Sequence, residues 1–429
     1  MSRIVRTTAA IAAATLSAWL IAPAAQATAP NAGEIAWVAA WNDPNDNSGS
    51  QPTNSVQRVD LATGEVLDRI EIAGSRPAEL AYSASTGKLW VLSQPWDYGD
   101  TDIAIIDTAT GIAQENVVDT SDSFEGSADL DQFRILDDWI GDIATSPDGA
   151  FVFIPGIDAD DADGGALLVF DAESANYLGS VPLTHEEPNS MATNSVTNEL
   201  YVVTSDGTDS YIETIDLGAD DWESAAIDTS APLDWPSGDS CWAQMAIDYD
   251  TNSNAVFAVC WDEAGFATYD LDTDTMSSTA IAFDSTSVIG IDVSDDGTHI
   301  ALGTCYDGSM WAELNSDFSV SNITHDVDHP NETSKAVKFF GDGSRYASGS
   351  WDEGDVYVFD GGDGSPVARP LVGPDSDPSN MTNVYISSIE LTDDTSGLAD
   401  TGFTSAPLIG FAVLAIGGGI IAVRRRRTF

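Results

Sequence analysis

The chain has 429 residues, with 15 Lys and Arg against 70 Asp and Glu, a formal net charge of −55. That balance excludes a nucleic-acid binder, which needs basic patches, and gives the folded part no attraction to an anionic membrane surface. Hydrophobic residues at 43% suffice for a large core, and three Cys are too few for a disulfide scaffold.

Residues 1–27 read as a secretory signal. Arg3 and Arg6 supply the positive start, an apolar run continues to about Ile21, and Ala25 and Ala27 are the small residues of a cleavage site. Residues 28–33 form a short N-terminal segment before a repetitive interior, 34–394.

In that interior a short apolar strand ends in an acid and runs into a Gly/Asp/Thr turn. The anchoring acids are Asp60, Asp107, Asp171, Asp216, Asp270, Glu313 and Asp360, at spacings of 47, 64, 45, 54, 43 and 47. A second signal, strand–tight turn–strand, precedes most of them, as in Ile143–Ile154 and Ile291–Leu302. Each unit thus holds four short strands, and no interior segment shows a sustained helical period. Four-stranded units of about 40–45 residues mark propeller blades. The fold class is all-β, a seven-bladed β-propeller. The first unit lacks its inner strand, and a spare strand, Asn383–Leu391, joins the first blade and closes the ring, which removes exposed edges.

The SPDG-type turn, followed by an apolar strand and D-x-A-T-G, resembles the YVTN-type, WD40-like surface propellers. The resemblance covers roughly 34–394 and implies a fold rather than a function.

Antiparallel order puts the first-to-second and third-to-fourth turns of every blade on one face. The second-to-third loops and blade connectors lie on the other, and nearly every insertion falls there, including the acidic stretch Val118 to Asp138. Variable loops on a regular scaffold are where binding resides, so the connector face is the expected ligand surface. It carries a repeated aromatic–acid pair: Trp96 and Asp97, Trp261 and Asp262, Tyr306 and Asp307, Trp351 and Asp352. These pairs suit sugars or cations, or else the rings pack between blades and the acids cap turns. Asp158, Asp160, Asp161 and Asp163 before Gly164 are the candidate calcium ligands, since oxygen-only sets suit that ion, though in so acidic a chain such runs also arise from composition. His185 with Glu186 and Glu187, and His325 with Asp326, Asp328 and His329, sit in two connectors and read as solvated loops.

Counting around the turn at Asp250 and Thr251 pairs residue 247 with 254 and sets Cys241 opposite Cys260. That register makes Cys241–Cys260 the expected disulfide, against Cys260–Cys305 or three free thiols.

The C-terminal end is tripartite. Residues 395–402 form a linker ending in Leu398, Ala399, Asp400, Thr401 and Gly402; residues 403–423 are a mostly apolar span long enough for a bilayer; residues 424–429 begin with four Arg. This order resembles the sortase sorting signal of Gram-positive bacteria, Leu-Pro-x-Thr-Gly, with Ala399 in place of Pro. The Leu-Ala-x-Thr-Gly form resembles the variant used by sortases of high-GC Gram-positive bacteria. The resemblance implies a sortase that attacks the Thr401 carbonyl, Gly402 leaving as the amine, covalent transfer to peptidoglycan, and a transient membrane span. The other reading is a single-pass protein with a basic cytoplasmic end. After both cuts nine basic residues face seventy acids, a charge of −61.

No nucleophile elbow, phosphate loop, HExxH or dinucleotide fingerprint occurs, and no catalytic residue is assigned. The expected function is a secreted, wall-anchored propeller that binds an extracellular protein or glycan, or acts as a scaffold. The alternative is an extracellular enzyme, lactonase-like or quinoprotein-like, with its site in the central funnel.

Overall fold

In the computed structural model the described residues are 34–42, 54–61, 65–72, 76–94, 102–119, 133–135, 142–158, 164–218, 222, 225–238, 241, 245–281, 287–305, 307–325, 333–340, 343–350, 355–368, 384–393 and 398–399. They form seven antiparallel sheets in a ring, and no helix among them is long and apolar enough to cross a membrane.

Blade 1 holds β1 (Glu34–Asn42), β2 (Ser55–Asp60) and β3 (Glu65–Glu71). Blade 2 holds β4 (Arg76–Ser83), β5 (Lys88–Gln94), β6 (Asp102–Asp107) and β7 (Ile112–Asp119). Blade 3 holds β8 (Phe133–Ile135), β9 (Ala144–Thr145), β10 (Phe151–Asp158), β11 (Gly165–Asp171) and β12 (Tyr177–Pro182). Blade 4 holds β13 (Glu187–Asn194), β14 (Glu199–Ser205), β15 (Ser210–Asp216) and β16 (Ala226–Pro232). Blade 5 holds β17 (Met245–Asp250), β18 (Ala255–Cys260), β19 (Gly265–Asp270) and β20 (Thr275–Ala280). Blade 6 holds β21 (Val288–Val293), β22 (His299–Thr304), β23 (Ser309–Leu314) and β24 (Val320–His325). Blade 7 holds β25 (Ser334–Phe339), β26 (Arg345–Ser350), β27 (Val356–Asp360) and β28 (Pro366–Ala368).

The ring closes through β29 (Val384–Asp393), which pairs antiparallel with β1 and becomes the inner strand of blade 1. Closure is completed by packing. Among the described residues there are seven apolar clusters, one at each seam between neighbouring blades. The seam between blades 7 and 1 buries Val358 and Ala347 against Ile386, Val38 and Val59.

Burial follows position in the blade. The second strands β18 and β22 lie between two neighbouring blades and are buried along nearly their whole length, so they read as continuous apolar runs. Of the outer strands, β3 is largely exposed, and β20 and β24 mix exposed with half-buried residues.

The acids of the repeat close turns. Asp107 Oδ1 accepts the Ala109 and Thr110 N–H groups at 3.0 and 2.9 Å. Asp171, Asp216, Asp270 and Asp360 do the same within their own turns. Glu313 instead accepts from Asn322 Nδ2 at 2.6 Å. The first turns use Asp148, Asn194, Asp250 and Asp296 in this way. These acids therefore serve short side-chain-to-backbone turns.

Two expectations, on 118–138 and on the register around Asp250, need correction, and the structure adds a short pairing in 395–402. The stretch 118–138, read as a connector loop, carries β8, whose residues pair with Gly156, Ile157 and Asp158 of β10. The cause is β9, which has only two residues and covers only Val152 and Phe153 of β10, so a second segment pairs with the remaining edge. The linker 395–402 contains a two-residue strand, β30 (Leu398–Ala399), paired with Thr392 and Asp393. The register around Asp250 also differs: the four-residue turn 251–254 pairs Ile247 with Ala258 and Met245 with Cys260. Cys241 lies four residues before β17, outside the ladder, and is nevertheless bonded to Cys260 with their Cα atoms 6.4 Å apart.

Candidate functional site

The inner strands β29, β4, β9, β13, β17, β21 and β25 surround a central channel of about 420 Å3. In six blades the first turn has the same length, starting at Ser83, Ser146, Asn194, Asp250, Ser294 and Phe340 and re-entering the ladder five residues later. Strand alternation then points every second residue before the turn into the channel.

Two tiers result. Two residues before the turns stand Ala81, Ala144, Ala192, Asp248, Asp292 and Lys338; four before stand Glu79, Asp142, Ser190, Ala246, Gly290 and Ala336. From β29, Glu390 and Ser388 join the same wall. The charged side chains sit in blades 5, 6, 7 and 1 at the first tier, and in blades 2 and 3 at the second. Lys335 adds a second ammonium near Glu79.

The tiers tie blade to blade. Met191 N–H donates to Asp142 Oδ2 at 2.8 Å, Ile247 N–H to Ser190 Oγ at 3.2 Å, Val293 N–H to Asp248 Oδ2 at 2.7 Å and Phe339 N–H to Asp292 Oδ2 at 2.5 Å. Each of these joins an inner strand to the next one round the ring, from blade 3 to blade 7. Ser190 Oγ also donates to Asp142 Oδ2 at 2.7 Å. Lys338 pairs with Asp292, and Lys335 of blade 7 pairs with Glu79 of blade 2.

This enclosure shifts proton affinities. Burial pushes Glu79 up to about 7, with Lys335 opposing it, and pushes Glu390 up to about 7, with Lys338 opposing. Burial and then the adjacent Asp292 charge push Asp248 up to about 8. Asp292 is itself raised by burial, against the pull of Lys338. The Asp292 charge beside Lys338 raises that ammonium's pKa, keeping it protonated. The channel can thus exchange protons near neutrality while holding the Lys338 ammonium charged.

The sequence reading did not single out this cluster. Its signal was a charge two residues before the first turn, as Asp248 in MAIDYD, Asp292 in VIGIDV and Lys338 in SKAVKF.

Of the aromatic–acid pairs and calcium candidates singled out from sequence, the described residues are Trp261, Asp262, Asp307 and Asp158. Trp261 is half-buried and Asp262 exposed, both just after β18. Asp307 is half-buried between β22 and β23, its N–H donating to Thr304 Oγ1 at 3.2 Å. Both turns lie on the connector face. Trp96, Asp97, Tyr306, Trp351 and Asp352 lie outside the described residues, as do Ala25, Ala27, Asp400, Thr401, Gly402 and the span 403–423. Asp158 is the last residue of β10, its backbone paired with Phe133, and Asp160, Asp161 and Asp163 lie outside the described residues. Among the described residues no group of three or more His, Cys, Asp or Glu is arranged to hold a metal ion.

The channel cavity reaches the first turns, where Ser195, Thr251, Asn252 and Asp295 line it, on the face opposite the connectors. On the connector side two buried carboxylates fasten connecting segments. Glu213 accepts from Thr184 N–H and His185 N–H at 2.9 and 3.0 Å, and Glu263 accepts from Ser237 N–H at 3.1 Å. His185 stacks on Tyr211 with ring centroids 3.7 Å apart.

No protein-family model matches the chain, and no curated protein matches it. Among solved structures, Kuenenia stuttgartiensis hydrazine synthase matches with a TM-score of 0.53 and 12% identity, over 72% of this chain and 91% of that one. At that identity the likeness is one of fold. In all 1515 solved chains match, so the architecture is common and does not by itself point to an activity.

Proposed function

We propose that this chain is a secreted β-propeller, anchored to the cell wall through Thr401, that binds or scaffolds extracellular partners with its connector-face loops. The observation that carries the reading is the order of segments in the sequence: leader, closed ring, LADTG, apolar span, Arg cluster. The channel fits this role, because Asp142, Asp248 and Asp292 each link one inner strand to the next. Such links favour a rigid platform, and rigid platforms present variable loops well. The partners on this reading are a sortase, peptidoglycan, and an extracellular protein or glycan.

Wall fractionation tests it. The protein should remain in boiled, detergent-washed cell walls, and Thr401→Ala should release it to membrane or medium. Equal wall retention of both would sink the anchoring claim.

One observation favours a second reading, an extracellular enzyme working in the channel: Glu79, Asp248 and Glu390 titrate near neutrality, as acid–base groups do. A broad esterase and lactonase screen on residues 28–401, with Asp248→Asn beside wild type, separates the two. Turnover lost in the variant would favour the enzyme.

A further inference from the structure

The ring begins and ends on one face. Asp393, the last residue of β29, pairs with Glu34, the first of β1, while Val384 pairs with Asn42 at the other end. On its other side β1 pairs Ile35 with Asp60, next to the turn into β3. Glu34 and Asp393 therefore both lie at the edge of the tight turns, and Asn42 and Val384 lie at the edge of the connectors.

The tether that follows is short. Ala399 is paired with Thr392, which holds it at the tight-turn edge two residues before Thr401; even with that pairing undone, Thr401 is eight residues beyond Asp393, a fully extended reach of about 26–29 Å. Two routes lead to the connector face: straight down the channel that β29 lines, or out across the blade radially and then through its whole depth. Three strand spacings take about 14 Å, and the ten residues of β29 span a further ~33 Å. Both the direct route, about 33 Å, and the outer one, about 47 Å, exceed the reach of the tether. A chain fixed at residue 401 must hold its tight turns toward the point of attachment.

We propose that the tight-turn face, with the acidic mouth of the channel, is the surface apposed to the wall, and that the connector face points outward. The proposal rests on the anchoring read above and adds which surface meets peptidoglycan and which is free for a soluble or cell-borne partner. It holds equally for a chain kept in the membrane by the span 403–423, since residue 403 follows Asp393 by only ten residues.

Single cysteine reporters read it out on living cells. Val196 is 72% exposed on the turn after β13, and Ser316 is exposed on the turn after β23; both belong to the tight-turn face. Thr208, in the turn after β14, and Asp262, in the turn after β18, are exposed on the connector face. Cys305 is buried and gives a low background. Val196→Cys, Ser316→Cys, Thr208→Cys and Asp262→Cys are each treated with a bulky polyethylene-glycol maleimide, on intact cells and after enzymatic release from the wall. Thr208→Cys and Asp262→Cys should react at similar rates in both states. Val196→Cys and Ser316→Cys should be slowed at least several-fold on cells and recover on release. Turn-face reporters that react as fast as connector reporters on cells overturn the orientation. Wall retention measured on the same cells keeps the claims apart: uniform labelling of retained protein overturns the orientation alone, and protein found in the medium overturns both.

Discussion

Lys338 Nζ lies 2.9 Å from Asp292 Oδ1, an ion pair between the inner strands of blades 7 and 6. The next residue, Phe339, donates its N–H to the other oxygen of the same carboxylate at 2.5 Å. Asp292 is 5% exposed. Removing its ammonium partner leaves a buried charge held by one backbone donor, with Asp248 nearby adding repulsion. Breaking a buried pair costs about 3–5 kcal/mol, but 41% of the Lys338 side chain is exposed to the channel. Water there reduces the expected loss to about 1–3 kcal/mol for Lys338→Met at pH 8. Adding Asp292→Asn should restore part of it. Denaturant unfolding checks this, and a single variant as stable as wild type would show that the pair is idle.

The same channel sets a pH dependence. In the folded chain Glu79 and Glu390 hold protons to about pH 7 and Asp248 to about 8; unfolded carboxyls release them near about 4. Between those limits the folded state binds more protons, so stability falls as pH rises from about 4 to 8. Asp171, Asp206, Asp317 and Asp363 act in the opposite sense, because hydrogen bonds within their turns lower their pKa. Their contribution is present above about 4 and is lost as pH falls below it. The unfolding midpoint should therefore peak at about pH 4 and decline toward about pH 8. The general repulsion of so acidic a chain relaxes in the same direction, so variants are needed. Asp248→Asn with Glu390→Gln should flatten the decline above pH 6, and an unchanged slope would remove the channel from the explanation.

The fold was legible because its signals are local. Asp107 closes its turn onto Ala109 and Thr110, and Ser146, Asp148 and Ala150 do so among themselves. Each such turn sits within a few residues of sequence, so the repeat could be counted. The spare strand 384–393 was legible by subtraction, since one blade lacked an inner strand. The channel was not, because it is assembled from seven strands spread over more than 300 residues. Asp248, Asp292 and Lys338 share a tier only after three turns of equal length are aligned. The Cys241–Cys260 register failed for a related reason: the turn 251–254 is longer than the one assumed, which moves every partner of β18 along the ladder.

The closing seam is tight at one glycine. A Cβ on Gly349 of β26 would lie 2.8 Å from Ile386 Cβ of β29 and 3.4 Å from Ala336 Cβ. Ile386 is fully buried in the cluster that joins blade 7 to blade 1. Gly349→Val should destabilise by about 1–3 kcal/mol through overpacking. Because the strain falls on the strand that closes the ring, the whole domain should unfold at a lower midpoint. Ile386→Ala in the same chain should recover part of the loss, and the double-mutant cycle measures the coupling. Additive effects would mean that the two side chains do not meet.

The disulfide fastens a connector to a blade. Cys241 is 1% exposed and precedes β17, and its carbonyl accepts from Ser210 Oγ at the start of β15 in blade 4. Its bond to Cys260, the last residue of β18, therefore joins a segment held by blade 4 to the second strand of blade 5. Trp235 and Met245 pack in the same cluster, so cutting the bond loosens a seam that is otherwise apolar. The two Cys are 19 residues apart, and closing a loop of about that size removes unfolded-state entropy worth roughly 3 kcal/mol. Cys241→Ala with Cys260→Ala should lower stability by about that amount or somewhat less, since the seam keeps its other contacts. A reductant should destabilise wild type and leave the double variant unchanged. Cys305, buried beside Thr333, should alkylate only after unfolding. Peptide mapping without reduction decides the pairing: a Cys241–Cys260 cross-link supports this account, and a Cys260–Cys305 cross-link or three thiols open to alkylation would overturn it.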